Sequence, residues 1–486
     1  MKILYAASEA QPFAKSGGLA DVAGSLPKAL VNEGVECTVI MPYYKNSIPQ
    51  ELQDDIKFVT QFYVPVGWRC QYCGMFKTEI AGVTYYLLDN EYYFKRDYGL
   101  YGYFDDAERF AFFSRAVLEA IKQTGDIPDI INANDWQCAL IPVYFNIYYR
   151  YQHDMRNIRN VFTIHNIQYQ GKYGYDILED IISIPRHLAS LVEYDGSVNF
   201  MKGAFEVADK ITTVSPSYAD EIGEAWCAHG LDRALANKKY KTCGFLNGID
   251  VDEYNPATDR DIAETFSIKK KTGKKTCKAE LFEKAGLPID DANTADTGDE
   301  PVIGIVSRLV QHKGLDLIKG VFDEIMGLGF KMIILGTGEN EYETFFHDMQ
   351  NRFPGRVSFT CGYVPDLSKM IYAGADMFLM PSWSEPCGLA QMISLRYGTI
   401  PVVRATGGLK DSIIDCGEDQ GTGFTFHDYN AHHMLDALKR ARECYDDKKA
   451  WNALMNRAMK ADFSWGKSAK LYIGLYEELC SWGRDS

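Results

Sequence analysis

The sequence predicts an α/β protein built from two doubly wound domains, each a parallel sheet covered by helices. Three observations carry that expectation. Short apolar, β-branched runs alternate with longer helical patterns throughout, which is the grammar of βαβ units. The chain of 486 residues is long enough for more than one core, and 46% hydrophobic with 24% charged residues is ordinary for a globular protein. The grammar also breaks once, in a run of basic and then acidic residues near the middle of the chain.

In the first half, strands are expected at Ile3–Ala7, Cys37–Met41, Thr84–Leu88, Ile130–Asn132, Asn160–Ile164 and Ile211–Val214. A helix is expected over Ala107–Thr124, where Phe110, Phe113, Val117, Ala120 and Ile121 recur at helical spacing. Asp105 with Glu108 three residues later has the pattern of a capping box at its start. In the second half, the expected strands are Val302–Val306, Met332–Leu335, Val357–Thr360, Met377–Met380, Ile400–Val403 and Gly423–Phe426. Between the halves, the basic run Lys269–Lys275 and the acidic run Asp290–Glu300 read as a solvated connecting stretch.

Charge and composition exclude several classes. There are 51 basic and 66 acidic residues, a net charge of −15, which argues against a nucleic-acid backbone as the main partner. No apolar run approaches the ~18 residues of a membrane span. The start, Met1 to Glu9, is too soon acidic for a signal peptide and reads as the first strand. The 12 cysteines have no framework spacing, which suggests reduced thiols in a cytosolic protein. Cys70 and Cys73 have the spacing of half a zinc site. Their flanks look like strands, however, on which residues three apart face opposite ways, so both read as packed or half-exposed thiols.

Ligands of open α/β sheets bind beyond the carboxyl ends of the strands. After Ile3–Ala7 come Glu9 and then Lys15-Ser16-Gly17-Gly18-Leu19-Ala20-Asp21. Ile130–Asn132 leads to Asp135-Trp136, and Asn160–Ile164 to His165-Asn166. In the second half Val302–Val306 leads to Arg308 and Lys313, and Met332–Leu335 to Gly336-Thr337-Gly338. Met377–Met380 leads to Pro381-Ser382-Trp383-Ser384-Glu385-Pro386-Cys387-Gly388-Leu389, and Ile400–Val403 to Thr406-Gly407-Gly408-Leu409. Glycine loops opening helices offer unpaired N–H groups to an anion, and Arg308 with Lys313 suits a diphosphate. There is no G-x-G-x-x-G after the first strand and no G-x-x-x-x-G-K-[ST], which disfavours a dinucleotide oxidoreductase or a P-loop NTPase. The 31 tyrosines and seven tryptophans, Trp136 and Tyr363 among them, would suit a surface on which apolar sugar faces stack.

Taken in order, these motifs resemble those of bacterial glycogen synthases and plant starch synthases, glycosyltransferase family 5, along essentially the whole chain. Lys15 to Val22, Arg109-Phe110, Asn134-Asp135-Trp136, His165 to Gly171 and Thr213 to Tyr218 carry the resemblance in the first half. Leu246 to Asp250, Ser307-Arg308-Leu309, Gln311 to Asp316, Glu385 to Leu389, Thr406 to Leu409 and Asp462 to Trp465 complete it.

The resemblance implies two Rossmann-like domains facing a central cleft (GT-B architecture). Residues 1–250 would form the N-terminal, acceptor-side domain and residues 251–466 the nucleotide-sugar-binding domain. A helix over residues 467–486 would cross back to the first domain. It further implies glucose transfer from ADP-glucose to the non-reducing 4-hydroxyl of an α-1,4-glucan, with retention, no metal and no cofactor, by front-face attack. His165, Glu385, Arg308, Lys313 and Asp135 would be catalytic. Lys15, Gly17, Gly18, Glu9, Asp21, Asn166, Asn247, Tyr363, Cys387, Gly388, Leu389 and Thr406 would bind substrate. Partners would be the nucleotide sugar and a glucan such as glycogen, starch or a maltooligosaccharide, with no nucleic acid and no membrane, in the cytoplasm. Closure over the donor would expel water that could otherwise hydrolyse it.

The chain departs from the family pattern in places. Ser16 stands for the usual Thr, Gln137 follows Asp135-Trp136 where His is common, and Trp383-Ser384 stands where many members have Arg-Phe. These leave ADP against UDP, and acceptor preference, open. A family 4 transferase would carry a second Glu where this chain has Ile393. A glucan-binding protein without activity would have lost one of Lys15, His165, Arg308, Lys313 or Glu385, and all five are present.

Overall fold

Strands buried on both faces need helices above and below, and the near-continuous apolar runs of this chain fold accordingly. In a computed structural model, which describes residues 1–288 and 300–482, the chain forms two compact units. One comprises Met1–Gly248 with the segment from Trp465 onward, and the other Ile249–Ser464. Most of the acidic run from Asp290 and the last four residues of the expected final helix lie outside the described residues.

In the first unit the strands are β1 Lys2–Ala6, β2 Glu36–Pro42, β3 Lys57–Val66, β4 Arg69–Ile80, β5 Val83–Asp89 and β6 Ile130–Asn134. They continue as β7 Arg159–Ile164, β8 Lys172–Tyr173, β9 Glu193–Tyr194, β10 Ser197–Asn199, β11 Lys210–Thr213 and β12 Thr242–Gly244. The main sheet runs β12-β11-β7-β6-β1-β2-β5-β4-β3, and β8-β10-β9 form a small separate sheet. All pairs from β12 to β5 are parallel, while β4 pairs antiparallel with both β5 and β3. The strands that flank Cys70 and Cys73 are present as β3 and β4, but they form an antiparallel edge outside the βαβ pattern. On it, Cys70 is exposed and Cys73 buried, as the period of a strand requires.

The second unit contains β13 Val302–Val306, β14 Lys331–Gly336, β15 Val357–Cys361, β16 Met377–Met380, β17 Ile400–Arg404 and β18 Phe424–Phe426. Its sheet is parallel throughout, in the order β15-β14-β13-β16-β17-β18. The first strand of each unit therefore lies inside its sheet, with the strand order reversing beside it. The reversal falls between β1 and β6 in one unit and between β13 and β16 in the other. Such a switch point opens a crevice at the carboxyl ends of the strands.

The helix Trp465–Ser481 packs on the helix Gly18–Asn32 of the first unit. It buries Tyr472 and Tyr476, and the Tyr476 hydroxyl accepts from Asn132 Nδ2 at 2.7 Å.

Two local expectations are corrected. The helix Asp106–Thr124 forms with Asp105 as N-cap, but the Asp105 side chain makes no capping bond. Its carboxylate is taken by Arg96, and Glu108 bonds the Tyr93 hydroxyl and Arg69 instead of reaching back. Stronger charge-assisted partners win over a backbone N–H. The basic run is also not simply a solvated connector, because the helix Thr272–Ala285 begins inside it. Lys274 is buried, and its ammonium donates to Ala373 O at 2.9 Å, Tyr397 O at 3.0 Å and Thr399 Oγ1 at 2.7 Å. Three acceptors meet all three donors of the ammonium, which is how a buried lysine becomes tolerable.

Candidate active site

In the first unit Glu9 and Asp135 follow the strands β1 and β6 that flank the switch point and His165 and Asn166 follow β7 beside them, while Asn247 follows β12 at the sheet edge. Glu9 is buried, and its carboxylate accepts from the Ser16 N–H, holding the glycine loop over itself. Burial raises the Glu9 pKa, and the N–H groups of Ser16 and Gly17 oppose the rise. Gly17 is the N-cap of the helix Gly18–Asn32 and brings no side chain to the cap, so the first N–H groups keep their positive end. Lys15 is engaged by Asp21, with Nζ 2.7 Å from Oδ1.

Asp135 follows β6 directly and sits at φ +56°, a left-handed turn that Asp tolerates better than most residues. The turn brings its Oδ1 to the N–H of His165 at 2.7 Å and of Asn166 at 3.3 Å, both just past β7. Burial lifts the Asp135 carboxyl to about 7 against those two bonds, and the nearby Glu9 charge adds to the rise. Burial also pulls His165 down to about 3, so the imidazole is neutral. Its Nε2 lies 2.9 Å from Asn134 Oδ1. Asn166 turns its own Oδ1 to the Gln168 N–H at 3.0 Å. Asn247 is buried, and its Oδ1 has no hydrogen-bond partner among the described residues, an acceptor left for something else.

In the second unit a pocket of about 190 Å³ opens at the β13/β16 switch point, lined among others by Arg308, Lys313, Ser382, Glu385, Gly388 and Leu389. Lys313 Nζ is 2.6 Å from Glu385 Oε2, and Ser382 Oγ donates to the same oxygen at 3.1 Å. Arg308 is exposed, and among the described residues no carboxylate pairs with it.

Glycines let three segments interlock beneath this pocket. Gly314 has φ +73°, and a Cβ there would stand 2.0 Å from Pro381 O. Cβ atoms at Gly407 and Gly408 would stand 2.1 Å from Glu385 O and 2.1 Å from Cys387 O respectively. The Gly408 N–H donates to Glu385 O at 3.1 Å. Thr406 and Cys387 are thus buried parts of the frame behind Glu385. Gln391 Nε2 fastens the same turn through Cys387 O at 3.0 Å and Gly388 O at 2.9 Å. Tyr363, by contrast, lies past β15, 80% exposed and outside the pocket lining.

Sequence reading missed two positioning groups, Asn134 behind His165 and Ser382 behind Glu385. Both stood in quoted motifs as neighbours of a charged residue, and that adjacency was the available signal. At the Trp383 departure, Arg404 donates through Nη1 to the Trp383 carbonyl at 2.5 Å and lies 5.7 Å from its ring centroid.

The chain is similar to known proteins over nearly its whole length. Residues 2–237 match the starch synthase catalytic domain family, and residues 288–456 match the glycosyl transferases group 1 family. The chain is 46% identical over 483 residues to a glycogen synthase of Anoxybacillus flavithermus, covering 99% of this chain and 98% of that one. It is 44% identical over 487 residues to a glycogen synthase of Clostridioides difficile, covering 99% and 100%. The catalytic domain of starch synthase IV from Arabidopsis thaliana, bound to ADP and acarbose, superimposes with a TM-score of 0.89 at 33% identity over 99% of each chain. A sucrose-phosphate synthase from Thermosynechococcus elongatus shares the fold at TM-score 0.62 and 16% identity. Among the described residues no helix is long and apolar enough to cross a membrane. With relatives this similar over its whole length, and two switch-point sites carrying the family's motifs, the chain belongs to the glycogen and starch synthase family of glycosyltransferases.

Proposed function

We propose that the protein transfers glucose from ADP-glucose to the 4-hydroxyl at the non-reducing end of an α-1,4-glucan, retaining the α configuration without a metal. Residues 1–250 act as the acceptor-side domain and residues 251–466 as the nucleotide-sugar domain, with residues 467–486 returning to the first. The observation that carries the reading is the second unit's pocket, where Arg308, Lys313 and Glu385 line one space. The starch synthase IV structure holds ADP and acarbose, which supports an adenine nucleotide and a glucan-like sugar for this chain.

As the anomeric bond breaks, negative charge grows on the diphosphate and positive charge on the sugar ring. Arg308 and Lys313 neutralise the diphosphate through charge-assisted hydrogen bonds, the task a divalent cation performs in other transferases. Lys15 and the N–H groups of Gly17 and Gly18 add donors, and Glu9 and Asp21 hold that loop and its lysine. Glu385 orients sugar hydroxyls and favours the cationic ring, within the frame of Cys387, Gly388, Leu389 and Thr406. His165 binds the transferred glucose, Asp135 places donor sugar or acceptor, and Asn166, Asn247 and Tyr363 contact substrate. As the resemblance to the family implies, attack is from the front face and the leaving phosphate takes the acceptor's proton. The enzyme works in the cytoplasm.

The test is release of ADP or UDP on incubation with each nucleotide glucose plus glycogen, beside Glu385→Ala. ADP release that needs both glycogen and Glu385 is expected. UDP release alone would overturn the donor assignment, and release of neither would overturn the reading.

A further inference from the structure

Asn134, the last residue of β6, is fully buried. Its amide group donates from Nδ2 to Ala6 O at 2.9 Å and to Asn132 O at 3.2 Å. An atom facing two carbonyl oxygens must be the NH2 nitrogen, so these partners settle which way the amide points. The atom left over, Oδ1, is 2.9 Å from His165 Nε2. A carboxamide oxygen has no proton to give, so the ring nitrogen is the donor. With burial keeping the ring neutral, the proton on Nε2 leaves Nδ1 with a lone pair. Nδ1 has no hydrogen-bond partner among the described residues.

We infer that Asn134 is a positioning residue that locks His165 in the Nε2–H tautomer, so that Nδ1 accepts a hydrogen bond from a substrate hydroxyl. Such a nitrogen rejects phosphate and carboxylate oxygens, which offer lone pairs and no proton. His165 then reads sugar and not diphosphate, and it donates no proton to the leaving group. The identity of the hydroxyl, the 6-hydroxyl of the transferred glucose, rests on the functional reading above, whereas the tautomer does not.

The first test uses the whole protein with 15N-labelled histidine, taking as His165 the resonance absent from His165→Gln. Between pH 6 and 8, with no substrate present, a protonated Nε2 and a lone-pair Nδ1 are expected. The opposite pattern, or an imidazolium, would overturn the tautomer. Asn134→Ala should blend the two patterns and lower kcat/KM by roughly tenfold, the worth of about one hydrogen bond. An unchanged spectrum in a folded Asn134→Ala protein would assign Asn134 to structure alone and overturn its role. The second test needs no variant and compares donors with 6-deoxy- and 6-fluoroglucose, since fluorine accepts weakly and cannot donate. Both should be roughly tenfold poorer than ADP-glucose and alike. A 6-fluoro donor that keeps most activity would reverse the hydrogen bond's direction, and full activity of both would overturn the hydroxyl contact. If no nucleotide sugar turns over, the functional reading fails while the nitrogen spectrum still decides the tautomer.

Discussion

Lys313 Nζ and Glu385 Oε2 stand 2.6 Å apart, and the ion pair ties the loop after β13 to the loop after β16. The two side chains are only 18% and 8% exposed, so little solvent screens them. Chain distance separates them by 72 positions, and the strand order makes them neighbours.

Glu385→Gln keeps the shape and removes the charge. Turnover should fall by roughly 10²–10³, the usual loss for one preorganised electrostatic group. The thermal midpoint should fall as well, because the change leaves the part-buried Lys313 ammonium without its carboxylate partner. Near-normal turnover in this variant would remove Glu385 from the mechanism.

Asp135 has a folded pKa of about 7, and an unfolded aspartate loses its proton near 3.9. Between those values the unfolded chain is ionised and the folded site is not. Stability from this group therefore falls as pH rises from about 4 to about 7, and stays reduced above. Asn tolerates the same φ and carries no such penalty. Asp135→Asn should thus gain on the parent in denaturant midpoint across that window and match it near pH 4. Turnover should rise through about pH 7 in the parent and lose that step in the variant. Parallel stability curves would show that Asp135 ionises freely.

Gly408→Ala pushes a methyl group to 2.1 Å from Cys387 O. The backbone must move, at a cost of about 1–3 kcal/mol, and it moves the turn that carries Glu385. Activity should fall together with stability. Gly474 is the control, since it is exposed in the helix Trp465–Ser481 with nothing within 4 Å of a Cβ. Gly474→Ala should stabilise by about 0.5–1 kcal/mol. Equal thermal shifts in both variants would refute the interlock.

Cys70 is exposed and Cys73 buried on one strand, and burial raises the Cys73 thiol pKa far out of the reactive range. Brief iodoacetamide treatment of the native protein should label Cys70 and spare Cys73 by mass spectrometry. Equal labelling would mean that the β3–β4 hairpin opens.

The strands β1, β2, β5, β6, β7, β11 and β13 to β18 were legible because each is a short apolar run closed by a polar or glycine turn, as at Ile130–Asn134 before Asp135, whereas β12, the three residues Thr242–Gly244, is too short and polar to stand out. The β3–β4 hairpin was less so, since the apolar and polar residues of a half-exposed edge alternate only in part. The capping box at Asp105 failed because Arg96, nine residues away, competes for the carboxylate. The basic run misled because charge alone does not reveal that Lys274 finds three acceptors from two other segments.

What the sequence determined by itself was which chemistry follows each strand: Glu9 and the glycine loop, Asp135, His165, Arg308 with Lys313, and Glu385. Those are local facts, set by a few consecutive residues and their turn preferences. Only the tertiary structure decided which of those strand ends meet, because pairing order is a non-local property of the sheet. It also decided protonation: burial lifts Asp135 and lowers His165, and Asn134 chooses the ring nitrogen that keeps the proton. Desolvation and hydrogen-bond direction depend on atoms brought together by folding, and no spacing along the chain encodes them.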